Sequence, residues 1–323
     1  MKKRFLPLLI SWEVLLLLLL MASLLLGANL SPYFLTGFNF YALTSNIMEI
    51  AIMALPMTLL VIVGEIDLSV ASILGLASVV LGLFWQRGHI LWLAIGLALL
   101  VGLAAGSLNG LLVTRLALPS LVVTIGSLAL FRGLAYVVLG DQAVSNFPAA
   151  FTDLGFNTVP GTQLPWSGLM FAFLALLCAG MLHLSRAGRQ LYAIGRNQEA
   201  ARFSGINVGR IKLWLFILSG LLAALAGVIF TARFSSARPD NALGFELAVV
   251  TVVLLGGVNI FGGHGSLVGV VLAIFLIAVL QNVLGLLNIS GDMQSLATGV
   301  LLILSVLGPG LVRRLTVDRS KQR

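Results

Sequence analysis

The sequence predicts an all-α, polytopic membrane protein, and three observations carry that expectation. Only 9% of the 323 residues are charged and 59% are hydrophobic, against about 25% charged in a soluble domain. The apolar residues gather in runs close to the roughly 20 residues that a bilayer-spanning helix needs. The Lys and Arg residues stand in short clusters between those runs, as in membrane proteins whose loops set their orientation. Distributed in this way, the net charge of +8 points to membrane lipid as a partner and away from nucleic acid. The 35 glycines suit helices that pack closely in a bilayer.

The chain opens on MKKRFLPLLI and continues SWEVLLLLLLMASLLLG. That is the basic start and apolar core of a signal sequence, but the run is long and no small-x-small cleavage pattern follows, so it reads as a retained first span. On the 20-residue ruler about ten spans are expected, near 8–27, 40–63, 68–84, 91–113, 118–139, 165–184, 212–232, 245–261, 266–287 and 293–311. The loop 185–212 carries Arg186, Arg189, Arg196, Arg202, Arg210 and Lys212. Lys2, Lys3 and Arg4 open the chain, and Arg313, Arg314, Arg319, Lys321 and Arg323 close it. All three regions are expected in the cytoplasm, so both termini are placed there. Six spans before the loop and ten in all satisfy the parity. Arg115 also falls inside, whereas Arg233 and Arg238 fall outside, against the trend. GDQAVSNFPAAFTDLGFNTVPGTQLP, 140–165, is polar with Gly and Pro and reads as an extracytoplasmic loop with room for a short helix. The chain 1–323 is then a single transmembrane domain. TLLVIVGEIDL (58–68) and TVVLLGGVNI (251–260) are faintly alike and suggest an internal repeat.

Motifs of catalysis are missing from the sequence. None of the four lysines stands in a G-x-x-x-x-G-K-[ST] phosphate loop, and there is no G-x-S-x-G elbow. His89, His183 and His264 are scattered without ligand partners at metal spacing. The single Cys178 sits in an apolar run and is read as structural. An enzyme is therefore not expected, nor a metal or cofactor bound by this chain. The ionisable residues at membrane depth are Glu13, Glu49, Glu65, Asp67, Arg132, Glu246 and Asp292. Such residues are costly in hydrocarbon and face a partner or a polar path. Glu13, Glu246 and Asp292 fall near span ends. Glu49 lies deep in the second span, and Arg132 in LFRGL is a candidate partner for it. Carboxylate relays of this kind also fit a proton-coupled carrier, and a passive channel is a further alternative.

In the loop 185–212, NQEAARFSG predicts a short helix capped by Asn197 and stopped by Gly205. The segment is too polar for lipid and has the character of a docking helix. AIGRNQEAARFSGINVGRIKLWLFILSGLLAALAG, ARFSSARPDNALGFELAVVTVVLLGGVNIFGGHGSLVG, LPSLVVTIGSLALFRGLAYVV and GEIDLSVAS together resemble the ABC importer permeases of the ribose, arabinose and xylose class, in order and over nearly the whole chain. Most of that class reads G-G-I-D-L-S-V-G-S, so Glu65 and Ala71 depart from it. GEIDLSVA and LGDQA look most like the rhamnose permeases, and the autoinducer-2 permeases come next.

The resemblance implies a permease in the bacterial inner membrane that passes a monosaccharide, rhamnose first and autoinducer-2 or a pentose as alternatives, inward by alternating access. It implies a second permease (the same chain or a sister), a cytoplasmic ATPase that holds ATP and Mg, and an extracytoplasmic sugar-binding protein. By the same resemblance Gly195, Asn197, Glu199, Ala200, Ala201, Ser204 and Gly205 form the ATPase-coupling segment, with Arg196 and Arg202 facing acidic rims. Gly64, Glu65, Asp67 and Ser69 form a helix junction in which Asp67 or Ser69 caps the following helix. Glu65 adds charge there or meets a neighbouring base. Asn46, Glu49, Thr124, Ser127 and Arg132 are candidates for the pathway.

Overall fold

The structure, a computed structural model, describes residues 12–303. The basic runs at 2–4 and 313–323, and the outer ends of the first and last expected spans, lie outside the described residues. Helices α1 (Trp12–Leu30), α2 (Gly37–Ile62), α3 (Val70–Gln86), α4 (Leu91–Arg115) and α5 (Ser120–Leu139) come first. A short α6 (Ala149–Phe156) lies in the 140–165 segment. It is followed by α7 (Trp166–Ala179), whose last turn widens to a π-helix over Gly180–Leu184. The basic loop folds as α8 (Arg186–Arg196) and α9 (Gln198–Phe203). Then come α10 (Val208–Phe234), α11 (Phe245–Leu255), α12 (Leu267–Leu286) and α13, 291–303.

Seven of these, α1, α2, α4, α5, α7 with its π-turn, α10 and α12, are long and apolar enough to cross a membrane. Helices α3 and α11 are shorter. At 11 residues, α11 reaches only about 16 Å, roughly half the hydrocarbon thickness. The expected span at 245–261 is thus a half-length helix. Gly244 and Gly257 bound it, both in the left-handed region that glycine tolerates. The loop before it turns inward: Asn241 is buried and donates to the Ser78 hydroxyl of α3.

Helix α2 is the axis of the molecule. From Leu43 to Ile62 every residue is buried except Asn46. Helix α10 runs antiparallel to it and packs on α4 through small residues. Gly102 and Gly106 face Gly220 and Phe216 so closely that a Cβ at Gly106 would stand 2.3 Å from the Phe216 carbonyl oxygen. This small-xxx-small crossing is how helices gain van der Waals contact where no hydrophobic drive exists between them. The internal likeness also has a structural counterpart. Thr58 and Thr251 each donate to the carbonyl four residues back, and six residues on Gly64 and Gly257 end their helices with positive φ.

Candidate functional site along α2

At the end carrying the basic loop, Asn197 caps α9 by accepting from the Ala200 N–H at 2.9 Å, and Gly205 takes φ +81 just beyond its end. The preceding helix is locked to α2 by backbone approach. A Cβ on Gly195 would lie 1.9 Å from the Ile62 carbonyl oxygen and 2.4 Å from the Gly263 nitrogen, and Gly263 N–H itself donates to Ile62 at 2.9 Å. The segment 195–205 therefore begins against the last turn of α2 and the 262–263 turn. Only glycine fits there.

The second lock is ionic. The Lys212 ammonium, in the first turns of α10, donates to the Glu65 carboxylate and to the Gln198 amide oxygen at 3.0 Å. Both charged side chains are nearly buried. Glu65 thus meets a base, Lys212, and one ammonium joins the α2–α3 junction to the first residue of α9. Asp67 next to it is fully buried and has no base partner among the described residues. It accepts from the Ser69 N–H at 3.0 Å, the Ser69 hydroxyl at 2.6 Å and the Ser219 hydroxyl at 2.9 Å. Burial pushes its carboxyl above the usual carboxylate range, and these donors oppose the shift.

The expected cap differs in detail. Ser69 occupies the N-cap position of α3 but makes no side-chain cap bond. Its hydroxyl is held by Asp67 and Asn109 instead. Asp67 satisfies the Ser69 N–H rather than those inside α3. The Ile66 backbone goes to α5, where Ser120 accepts from its N–H and Thr124 donates to its carbonyl.

Midway along α2, Glu49 has a different partner from the expected Arg132. Arg233 forks onto it at 2.8 and 3.2 Å and gives a third bond to the Asn46 amide oxygen at 2.8 Å. Arg132 spends its guanidinium on the carbonyls of Pro239, Asn241 and Ala71, fixing the inward loop. Thr124 and Ser127 are buried and bond to backbone. Of the five pathway candidates, Asn46 alone lines the polar cavities, with Glu49 behind it, while Thr124, Ser127 and Arg132 serve the scaffold.

Those cavities measure about 400 and 370 Å³, and both are lined by Asn46, Gln281 and Gln294. The larger hollows, about 750 and 630 Å³, are walled almost wholly by apolar side chains. Sequence reasoning passed over Gln281 and Gln294, two amides within apolar runs. It also passed over Phe203, whose 93% exposure at the end of α9 is the highest among the large apolar side chains described.

The family described as branched-chain amino acid transport system / permease component matches residues 39–306. The chain belongs to this ABC permease family. It is 36% identical over 308 residues to the autoinducer 2 import system permease protein LsrD of Klebsiella pneumoniae subsp. pneumoniae, covering 94% of this chain and 92% of that one. The LsrD proteins of Photorhabdus laumondii (35%, covering 92% and 90%) and Yersinia enterocolitica (37%, covering 82% and 81%) are similar to the same degree. No solved structure matches. The permease relatives named here import autoinducer-2. Rhamnose, the first choice suggested by GEIDLSVA and LGDQA, finds no support among them.

Proposed function

We propose that this permease is the membrane subunit of an importer that carries autoinducer-2 into the bacterial cytoplasm, powered by ATP hydrolysis on a separate subunit. The observation that carries the reading is the likeness to LsrD over more than nine-tenths of both chains. The geometry of the basic end supports it. The capped helix α9 follows Gly195 of α8, which packs on the Ile62 carbonyl of α2, and Lys212 joins its first residue to Glu65 just past α2, so a push on α9 is passed to α2 through these contacts.

In this reading ten segments cross or enter the inner membrane and both termini are cytoplasmic. Trp12, at the start of α1, bonds the Leu255 carbonyl at the basic end, which accords with that orientation. A cytoplasmic ATPase holding ATP and Mg docks on residues 195–205. A second permease, identical or sister, completes the pathway, and an extracytoplasmic binding protein delivers the ligand. Conformations open to either side exchange as the ATPase binds and hydrolyses ATP.

The test is co-purification of the chain with its ATPase and binding protein, followed by ATP hydrolysis with candidate ligands. Autoinducer-2 is expected to stimulate hydrolysis and L-rhamnose to leave it at the basal rate. Stimulation by rhamnose alone would return the assignment to the rhamnose permeases.

A further inference from the structure

We infer that Asn46, Gln281 and Gln294 form a ligand subsite for a small, uncharged, polyhydroxylated molecule, and that the buried Glu49–Arg233 pair sets its polarity. The inference rests on the importer reading and adds the residues and chemistry by which the ligand is recognised.

Asn46 is the single exposed residue in a stretch of α2 that is otherwise buried from Leu43 to Ile62. A lone polar side chain turned out of a buried helix needs a reason, and here it faces both polar cavities. Its orientation is fixed chemically. Guanidinium groups only donate, so the Arg233 contact engages the Asn46 amide oxygen and turns the NH2 group toward the cavity. Arg233 keeps that geometry because its other two bonds go to Glu49, which also cancels its charge.

Gln294 is held the other way. Its NH2 donates to the Ile289 carbonyl at 3.0 Å, which leaves its amide oxygen as an acceptor. Gln281, half-buried on α12, supplies both functions. The three amides thus offer donors and acceptors and no charge, and among the described residues no charged side chain lines either cavity. Hydroxyl groups, each donor and acceptor, are matched by such a wall. A phosphate or carboxylate would find no cation among the lining residues described, and Arg233 behind them is already neutralised by Glu49.

The experiment uses the complete importer in proteoliposomes, loaded with ATP, and labelled autoinducer-2 and L-rhamnose as probes. Gln281→Leu and Asn46→Leu are compared with Gln281→Asn and Asn46→Gln, and assembly is read from co-purified ATPase. Removing one neutral hydrogen-bonding amide is expected to raise the apparent KM for uptake about three- to tenfold, with partial recovery in the amide-for-amide variants. Unchanged KM in both Leu variants, with wild-type transport intact, would overturn the subsite and leave the importer reading standing. A wild-type importer that moves neither probe would refute the importer reading and the subsite with it. Should a Leu variant fail to assemble, Gln294→Cys in a Cys178→Ala background provides a second readout. Ligand-loaded binding protein is expected to slow its modification by a membrane-impermeant thiol reagent at least threefold, and unchanged labelling would overturn the subsite.

Discussion

Two ion pairs tie α10 to the α2 region, one from its first turns to the junction just past α2 and one from its last turn to the middle of α2, and the two are built differently. At the basic end the Glu65–Lys212 contact is a point charge on a flexible stem, shared with Gln198 of α9. At the far end of α10 Arg233 grips Glu49 with two parallel bonds, and Glu49 is wholly shielded. Arg presents a rigid fork suited to a fixed, bidentate contact, whereas Lys is a compact charge that swivels and re-pairs. The difference matches the tasks assigned to the two ends. In the proposed importer the Glu49–Arg233 pair holds an amide still beside a cavity, and the Glu65–Lys212 pair follows a segment that a partner moves. Two carboxylates in apolar surroundings look equivalent in sequence, yet one is a strut and the other a joint.

The comparison breaks first at Arg233. Arg233→Met strands the Glu49 carboxylate and should cost about 3–5 kcal/mol, seen as a lower thermal midpoint and poor yield in detergent. Glu49→Leu with Arg233→Met should recover most of that stability, since apolar replacement of a whole buried pair is often neutral. The double variant should still transport poorly because Asn46 has lost its orienting bond. Full transport by the stable double variant would remove the positioning role.

Next in size is Gly195→Ala. Its Cβ would press on the Ile62 carbonyl, and uptake per ATP hydrolysed should fall at least tenfold while the ATPase still co-purifies. Lys212→Glu and Glu65→Lys should each lower that ratio several-fold, and the combined swap should restore part of it. A swap no better than the single variants would mean that the pair is not a coupling contact. The smallest effect is expected from Phe203→Ala. Loss of one exposed aromatic on α9 should weaken ATPase binding a few-fold, with the thermal midpoint of the isolated permease unchanged.

Much of this was legible in the sequence. Hydropathy located the apolar segments, and Asn197 and Gly205 marked α9 to within a residue at each end. The rarity of charge drew attention to Glu49, Glu65 and Asp67. Partners were another matter. Glu49 and Arg233 stand 184 positions apart and Glu65 and Lys212 stand 147 apart. No periodicity reports such separations, and in a bilayer apolar faces do not disclose which helices adjoin. Arg132 was the plausible mate for Glu49 because it was the one base placed deep in a span. Arg233, counted as an outer charge against the usual bias, was the better one. Likewise the segment 245–261 is apolar enough to span, but glycines at 244, 256 and 257 shorten its helix, so composition overstated its reach. The family was recognisable from long motifs in order. The ligand was not, because the short forms GEIDLSVA and LGDQA weighed more than the whole-chain likeness now gives them.

The account stands or falls on what drives transport. Proteoliposomes holding either the chain alone or the chain with ATPase, second permease and binding protein should be loaded with ATP and given labelled autoinducer-2, with the proton gradient imposed or collapsed. Concentrative uptake is expected only in the complete assembly, dependent on ATP and indifferent to the gradient. Accumulation by the chain alone under a proton gradient would contradict it and make Glu49 a relay. Passive equilibration without any partner would contradict it in favour of a channel.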